Sequence, residues 1–136
     1  MESFVVDTYK VRLVLELAGN PGTVSRTRLI EIIGAPEHHG IVRRASLVFS
    51  TSYDSASPRS TIGYYATHNP SQPYLYGWLP SSEYSYWYDV IRAEKPLNLF
   101  FNISPINGAS YVNHISLSTS SEPIGEGPED ITPWPV

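Results

Sequence analysis

The sequence predicts an all-β protein: a single-domain antiparallel β-sandwich of about seven or eight strands, with a small closed β-barrel as the alternative. Three observations point there. Twelve prolines and nine glycines in 136 residues suit short strands joined by turns rather than long helices. Several segments alternate apolar and polar residues with a period of two, the mark of a strand with one face in a core. Asn107-Gly108 lies between two apolar alternating runs and is the preferred pair for a two-residue hairpin turn, because both central positions take positive φ.

Taken in order, the first element is Tyr9 to Leu17, where Tyr9, Val11, Leu13, Leu15 and Leu17 alternate with Lys10, Arg12, Val14 and Glu16. That pattern predicts a strand with one buried and one wetter face. "GNPGT" (19–23) breaks it, and Val24 to Ile33 reads as a second strand ending at the loop "GAPEHHG" (34–40). Ile41 to Ser50 alternates again, with Ile41, Ala45, Leu47 and Phe49 on one face. The Ser-rich stretch 50–60 reads as an exposed loop, and "TIGYYAT" (61–67) as a short strand. Residues 74–95 fit two periods: Tyr84, Trp87, Tyr88 and Ile91 recur at helical spacing, and Tyr84, Tyr86, Tyr88 and Val90 at strand spacing. The β propensity of Tyr, Trp, Val and Ile favours the strand. Strands at about 97–105 and 110–119 then pair across Asn107-Gly108.

Residues 1–119 thus form the expected sandwich domain. Residues 120–136, "SSEPIGEGPEDITPWPV", read as a Pro/Glu-rich extended tail, since four prolines, two glycines and four acids make a poor core segment. Its apolar end, "ITPWPV", suits docking on this domain or on a neighbouring subunit, as proline-rich segments dock on aromatic grooves.

Composition excludes several function classes. The absence of cysteine removes disulfides, thiolate zinc sites and cysteine nucleophiles, and leaves compartment and localisation open. The first twenty residues lack the basic start and uninterrupted apolar stretch of a signal peptide. No apolar run approaches the ~20 residues of a membrane-spanning helix. The formal net charge is −4, with seven Lys+Arg against six Asp+Glu in residues 1–68 and two against seven in 69–136. Such a balance disfavours a nucleic-acid partner, which needs a basic field. Arg26, Arg28, Arg43 and Arg44 leave room for a local basic stripe.

The chemistry-bearing feature is "YLYGWLPSSEYSYWY" (74–88), with five tyrosines and two tryptophans in fifteen positions. Flat rings stack on sugars, on nucleobases or on one another, and their polar rims form hydrogen bonds. The candidate ligand-binding residues are therefore Tyr74, Tyr76, Trp78, Tyr84, Tyr86, Trp87 and Tyr88, with Glu83 and Asp89 as acceptors for ligand hydroxyls. In the strand reading Tyr84, Tyr86 and Tyr88 face one way and Trp87 the other. Beside this stands a structural reading, in which the rings only cover the edge of the core, and an interface reading, since subunit contacts are enriched in the same residues. His38-His39 reads as a solvated loop pair, because neighbouring extended residues point apart and a metal needs three or four convergent donors. No phosphate-loop, dinucleotide, serine-hydrolase, zincin or EF-hand signature occurs. No cofactor, metal or catalytic residue is expected.

Together these features predict a non-catalytic binding module, carbohydrate-binding through a Tyr/Trp platform, with a glycan or a small polar or aromatic ligand as partner. The alternatives are a structural or oligomer-assembly subunit that uses the aromatic face and the tail, and a small β-barrel enzyme or apolar-ligand carrier. The last requires Tyr64, Tyr76, Trp78 and Trp87 to converge inward.

Overall fold

A computed structural model describes residues 1–54 and 59–119. The expected tail at 120–136 lies outside the described residues, as do residues 55–58 of the Ser-rich loop. The fold is all-β, with seven strands and one α-helix among the described residues: β1 (Glu2–Gly19), β2 (Gly22–Gly34), β3 (Arg44–Ser50), β4 (Gly63–Ala66), β5 (Tyr74–Pro80), α1 (Tyr84–Ala93), β6 (Leu97–Ile106) and β7 (Ala109–Thr119). Asn107 and Gly108 make the tight β6–β7 turn with φ of 51° and 80°, as the Asn-Gly pair predicts.

The strands form one sheet in the order β1-β2-β3-β5-β4-β7-β6, and β6 pairs back to β1 so that the ladders close on themselves. Two features depart from a purely antiparallel two-sheet arrangement. β3 and β5 run parallel, from Arg44↔Tyr74 to Ser50↔Pro80, because β4 is placed on the far side of β5 instead of between them. Closure itself is narrow: β1 meets β6 over only Glu2–Val5, and β4 meets β7 over Gly63 and Tyr64. Closing a sheet removes exposed edges that would otherwise template aggregation.

Inward residues fill the core by period two: Ile30 and Ile32 from β2, Ala45, Leu47 and Phe49 from β3, Leu75 and Leu79 from β5, Leu97, Leu99 and Phe101 from β6. Burying each large side chain stabilises the fold by about 1.5–3 kcal/mol relative to leaving it in water. Gly77 stands inward between Leu75 and Leu79, where a Cβ would meet Leu47 Cδ2 at 2.9 Å and Ile115 Cδ1 at 3.0 Å. A side chain there would push both neighbours apart.

Two expectations are corrected here. Residues 84–90 are helical, not a strand. The helical set wins because Tyr84, Trp87, Tyr88 and Ile91 all reach the core cluster from one side of α1, while Ser85, Tyr86, Asp89 and Arg92 stay exposed. Tertiary burial outweighs the β propensity of the individual residues. The second correction concerns β1. The face expected to be buried is open: Leu13, Leu15 and Leu17 are 70, 68 and 68% exposed, with Val24 across from Leu17 at 59%. Beyond Val5 no β6 residue pairs with β1, and beyond Thr27 no β3 residue pairs with β2. The outer part of the hairpin is therefore a two-stranded arm, and nothing among the described residues packs on its apolar row.

Candidate functional site

The ring-rich stretch is divided by the end of β5. Along β5, Leu75, Gly77 and Leu79 point inward, so Tyr74, Tyr76 and Trp78 point outward. Register places Tyr64 of β4 beside Tyr76, and Tyr111 of β7 beside Tyr64. Tyr74 and Tyr76 stack at 4.7 Å between centroids, 21° from parallel, and Tyr64 meets Tyr111 edge-on at 6.1 Å. The result is an outward tyrosine belt across β5, β4 and β7. Burial pushes the Tyr74 hydroxyl above the ordinary tyrosine value against a lowering hydrogen bond with Ser46, itself buried on β3. Tyr64 and Tyr76 thus lie on the outside of the sheet and do not meet the inward convergence that the ligand-carrier alternative requires of them. Strand alternation gives the inward positions to Leu75 and Tyr65 instead.

The second ring set is on α1. Its approach is fixed from a distance: Asp54 accepts hydrogen bonds from the Ser81 amide at 2.7 Å and the Ser81 hydroxyl at 2.8 Å. Pro80, at the start of the 3-10 turn Ser81–Glu83 that leads into α1, has no side chain able to cap, so the Asp54 carboxylate, 27 positions before Ser81, does so. Tyr84 then meets Phe49 edge-on at 5.4 Å and stacks on Tyr88 at 5.8 Å. Arg28 of the hairpin lies over the Tyr84 ring at 5.0 Å. Burial raises the Tyr84 hydroxyl above its ordinary value, Tyr88 adds to this and Arg28 opposes it. Asp89 faces outward and is paired with Arg92 at 3.1 Å, whose guanidinium also covers Tyr88.

Between α1 and β7 lies a groove of about 300 Å³. Glu83, Tyr86, Trp87 and Val90 form one wall, and Ile115, Ser116 and Leu117 the other. His114 reaches the Ser116 hydroxyl at 3.1 Å. One concavity therefore brings together aromatic rings, aliphatic side chains and a carboxylate, the composition of a small-molecule site. Among the described residues no three of His, Asp and Glu converge as a metal site requires, and no helix is long and apolar enough to cross a membrane.

The nine candidates thus fall into four places. Tyr74, Tyr76 and Trp78 lie on the belt; Glu83, Tyr86 and Trp87 line the groove; Tyr84 and Tyr88 are turned toward the core, and Asp89 toward solvent and Arg92. Sequence reasoning did not assign Tyr111, Ile115, Leu117 or Asp54 to any site. All four are brought in by pairing or hydrogen bonding over long sequence separations, for which local spacing carries no signal. No protein-family model, no curated protein and no solved structure matches this chain.

Proposed function

We propose that this chain is a non-catalytic binding module that takes a glycan, or a small polar or aromatic ligand, in the groove between α1 and β7. The observation that carries this reading is the meeting of Trp87 and Tyr86 with Glu83 and Ser116 around one concavity. The indole stacks on the apolar face of a sugar ring, and the carboxylate bonds its hydroxyls. Among the described residues Glu83 is the one carboxylate lining the groove, whereas glycoside hydrolysis uses two acidic groups about 5–10 Å apart. That favours binding over cleavage. The test is a titration of the full chain with mono- and oligosaccharides, followed by calorimetry and amide chemical shifts. Shifts clustered at Glu83, Trp87 and Ser116 that vanish in Trp87→Ala support the reading, and no binding at millimolar ligand removes it.

The tyrosine belt favours a second reading, a structural or assembly subunit. Five rings, Tyr64, Tyr74, Tyr76, Trp78 and Tyr111, share the outer face of three adjacent strands, and Tyr and Trp are enriched where subunits meet. Light scattering discriminates: a concentration-independent monomer removes the assembly reading, and an oligomer broken by Tyr76→Ser supports it.

A further inference from the structure

The apolar row on the hairpin arm has a second property: it is cationic and has no acid of its own. On this face β1 contributes Tyr9, Val11, Leu13, Leu15 and Leu17, and β2 contributes Val24, Arg26, Arg28, Ile30 and Ile32. Leu13 is opposite Arg28, Leu15 opposite Arg26 and Leu17 opposite Val24. Glu16 and Glu31 belong to the other face, where Glu31 pairs with Lys10 and Arg12. Leu13, Leu15, Arg26 and Arg28 border a depression of about 370 Å³. Leu13, Leu15, Leu17 and Val24, all more than half exposed, form one contiguous apolar patch on the arm, and such patches often mark contact surfaces.

We propose that residues 120–136 of the same chain dock on this face, with "EDITPWPV" (129–136) lying along Leu13, Leu15 and Leu17. Charge chooses among occupants. The segment carries Glu122, Glu126, Glu129 and Asp130 and no basic residue, so it brings acids to Arg26 and Arg28. A second copy of the arm would instead set arginines against arginines. The reach is sufficient. Thr119 ends β7 opposite Leu97, and Asn98 is opposite Val5 of β1, so the chain leaves the sheet two strands, or about 10 Å, from the point where the arm departs. Leu13 lies roughly 25 Å further along β1. Residues 120–128 span up to about 30 Å when extended, which leaves 129–136 to cover the row. The prolines of the segment remove ladder donors, so the contact is made by side chains and an extended backbone rather than by an added strand. A tether of this length gives a local concentration on the order of 1 mM. That exceeds a second copy at micromolar concentration, and it makes the intramolecular contact the dominant one.

The experiment uses Trp134 as the reporter in the full chain. With Trp78→Phe and Trp87→Phe it is the sole indole. The expected result is blue-shifted emission and several-fold weaker iodide quenching, independent of protein concentration. Reversal by Arg26→Glu with Arg28→Glu should restore the quenching of a free indole. Free-indole quenching without the reversal overturns the proposal, as does protection that appears only on concentrating the protein. Because the two tryptophan replacements touch the belt and the groove, a second variant keeps both intact. The chain has no cysteine, so Leu15→Cys with Thr132→Cys provides a single intramolecular disulfide pairing. An intramolecular bond in mild oxidant supports docking, and intermolecular bonds alone, or none, overturn it.

Discussion

Thr61 holds the narrowest seam of the closed sheet. β4 and β7 share only the Gly63↔Val112 and Tyr64↔Tyr111 pairs. The Thr61 hydroxyl accepts from the Gly63 amide at 3.0 Å and the Val112 amide at 3.3 Å, and lies 2.5 Å from the Gly63 carbonyl and 3.0 Å from the Val112 carbonyl. Thr61→Val keeps the shape and removes every one of these bonds. Two partly buried amides lose an acceptor, at about 1–3 kcal/mol for each such group when fully buried. Water reaches part of the seam, so the expected loss is about 2 kcal/mol, a large fraction of the 5–15 kcal/mol typical of a domain. Thr61→Ser keeps the hydroxyl and loses one methyl, and should cost less than about 1 kcal/mol. Urea denaturation measures both, with a lower midpoint and unchanged m-value for the valine variant. Amide exchange at Gly63 and Val112 should accelerate together. A valine variant within ~0.5 kcal/mol of the parent, or a serine variant as damaged as the valine one, would refute this account of the seam. Because β7 supplies Ile115, Ser116 and Leu117 to the groove, the valine variant should also loosen that wall.

The remaining predictions use other parts of the fold. Leu47→Ala removes a fully buried side chain from the core and should cost about 2–5 kcal/mol in chemical denaturation. Gly108 sits at φ 80°, and a Cβ added there would meet nothing within 4 Å; Gly108→Ala should therefore cost about 1–2 kcal/mol from backbone strain alone, read as a lower urea midpoint. At Glu31 burial raises the carboxyl pKa, but hydrogen bonds and charge from Lys10 and Arg12 outweigh burial and leave it below the ordinary value. A depressed folded value means that the stabilisation is full above the unfolded pKa and is lost as pH falls through the folded one. The pairs are largely exposed on the cationic side, so the effect stays under about 1 kcal/mol. Glu31→Gln should flatten this part of the acid limb of the stability curve.

Much of the fold is legible in the sequence because it is local. Asn107-Gly108 marks its turn through the backbone preference of two residues, the nearly continuous apolar run Leu29–Ile33 marks β2, and alternation in Leu97–Ile103 marks β6 through side chains that share a face. What is not legible depends on partners far along the chain. Period two says which residues of β1 lie together, yet nothing in Tyr9–Leu17 states that β6 stops pairing at Val5 and leaves Leu13, Leu15 and Leu17 uncovered. The period of Tyr84–Ile91 is degenerate, and it is resolved by Phe49 on β3 and by Asp54, whose carboxylate bonds Ser81. The parallel β3–β5 pair is hidden for the same reason, since strand order is set by where β4 inserts.

The helix also changes what the ring-rich stretch can do. As a continuous strand system, Tyr74 to Tyr88 would present two alternating ring sets on opposite faces of one sheet. As strand then helix, the chain turns at Pro80–Glu83, so Tyr74, Tyr76 and Trp78 remain on the outer sheet face while Tyr86 and Trp87 move to a groove against β7. A ligand in the groove would therefore contact β7 residues far from α1 in sequence and would not span the belt. That separation makes the two readings independently testable: Trp87→Ala should abolish groove binding and leave subunit association unchanged, whereas Tyr76→Ser should do the reverse. A substitution that abolished both would mean that belt and groove form one surface, contrary to the turn at Pro80.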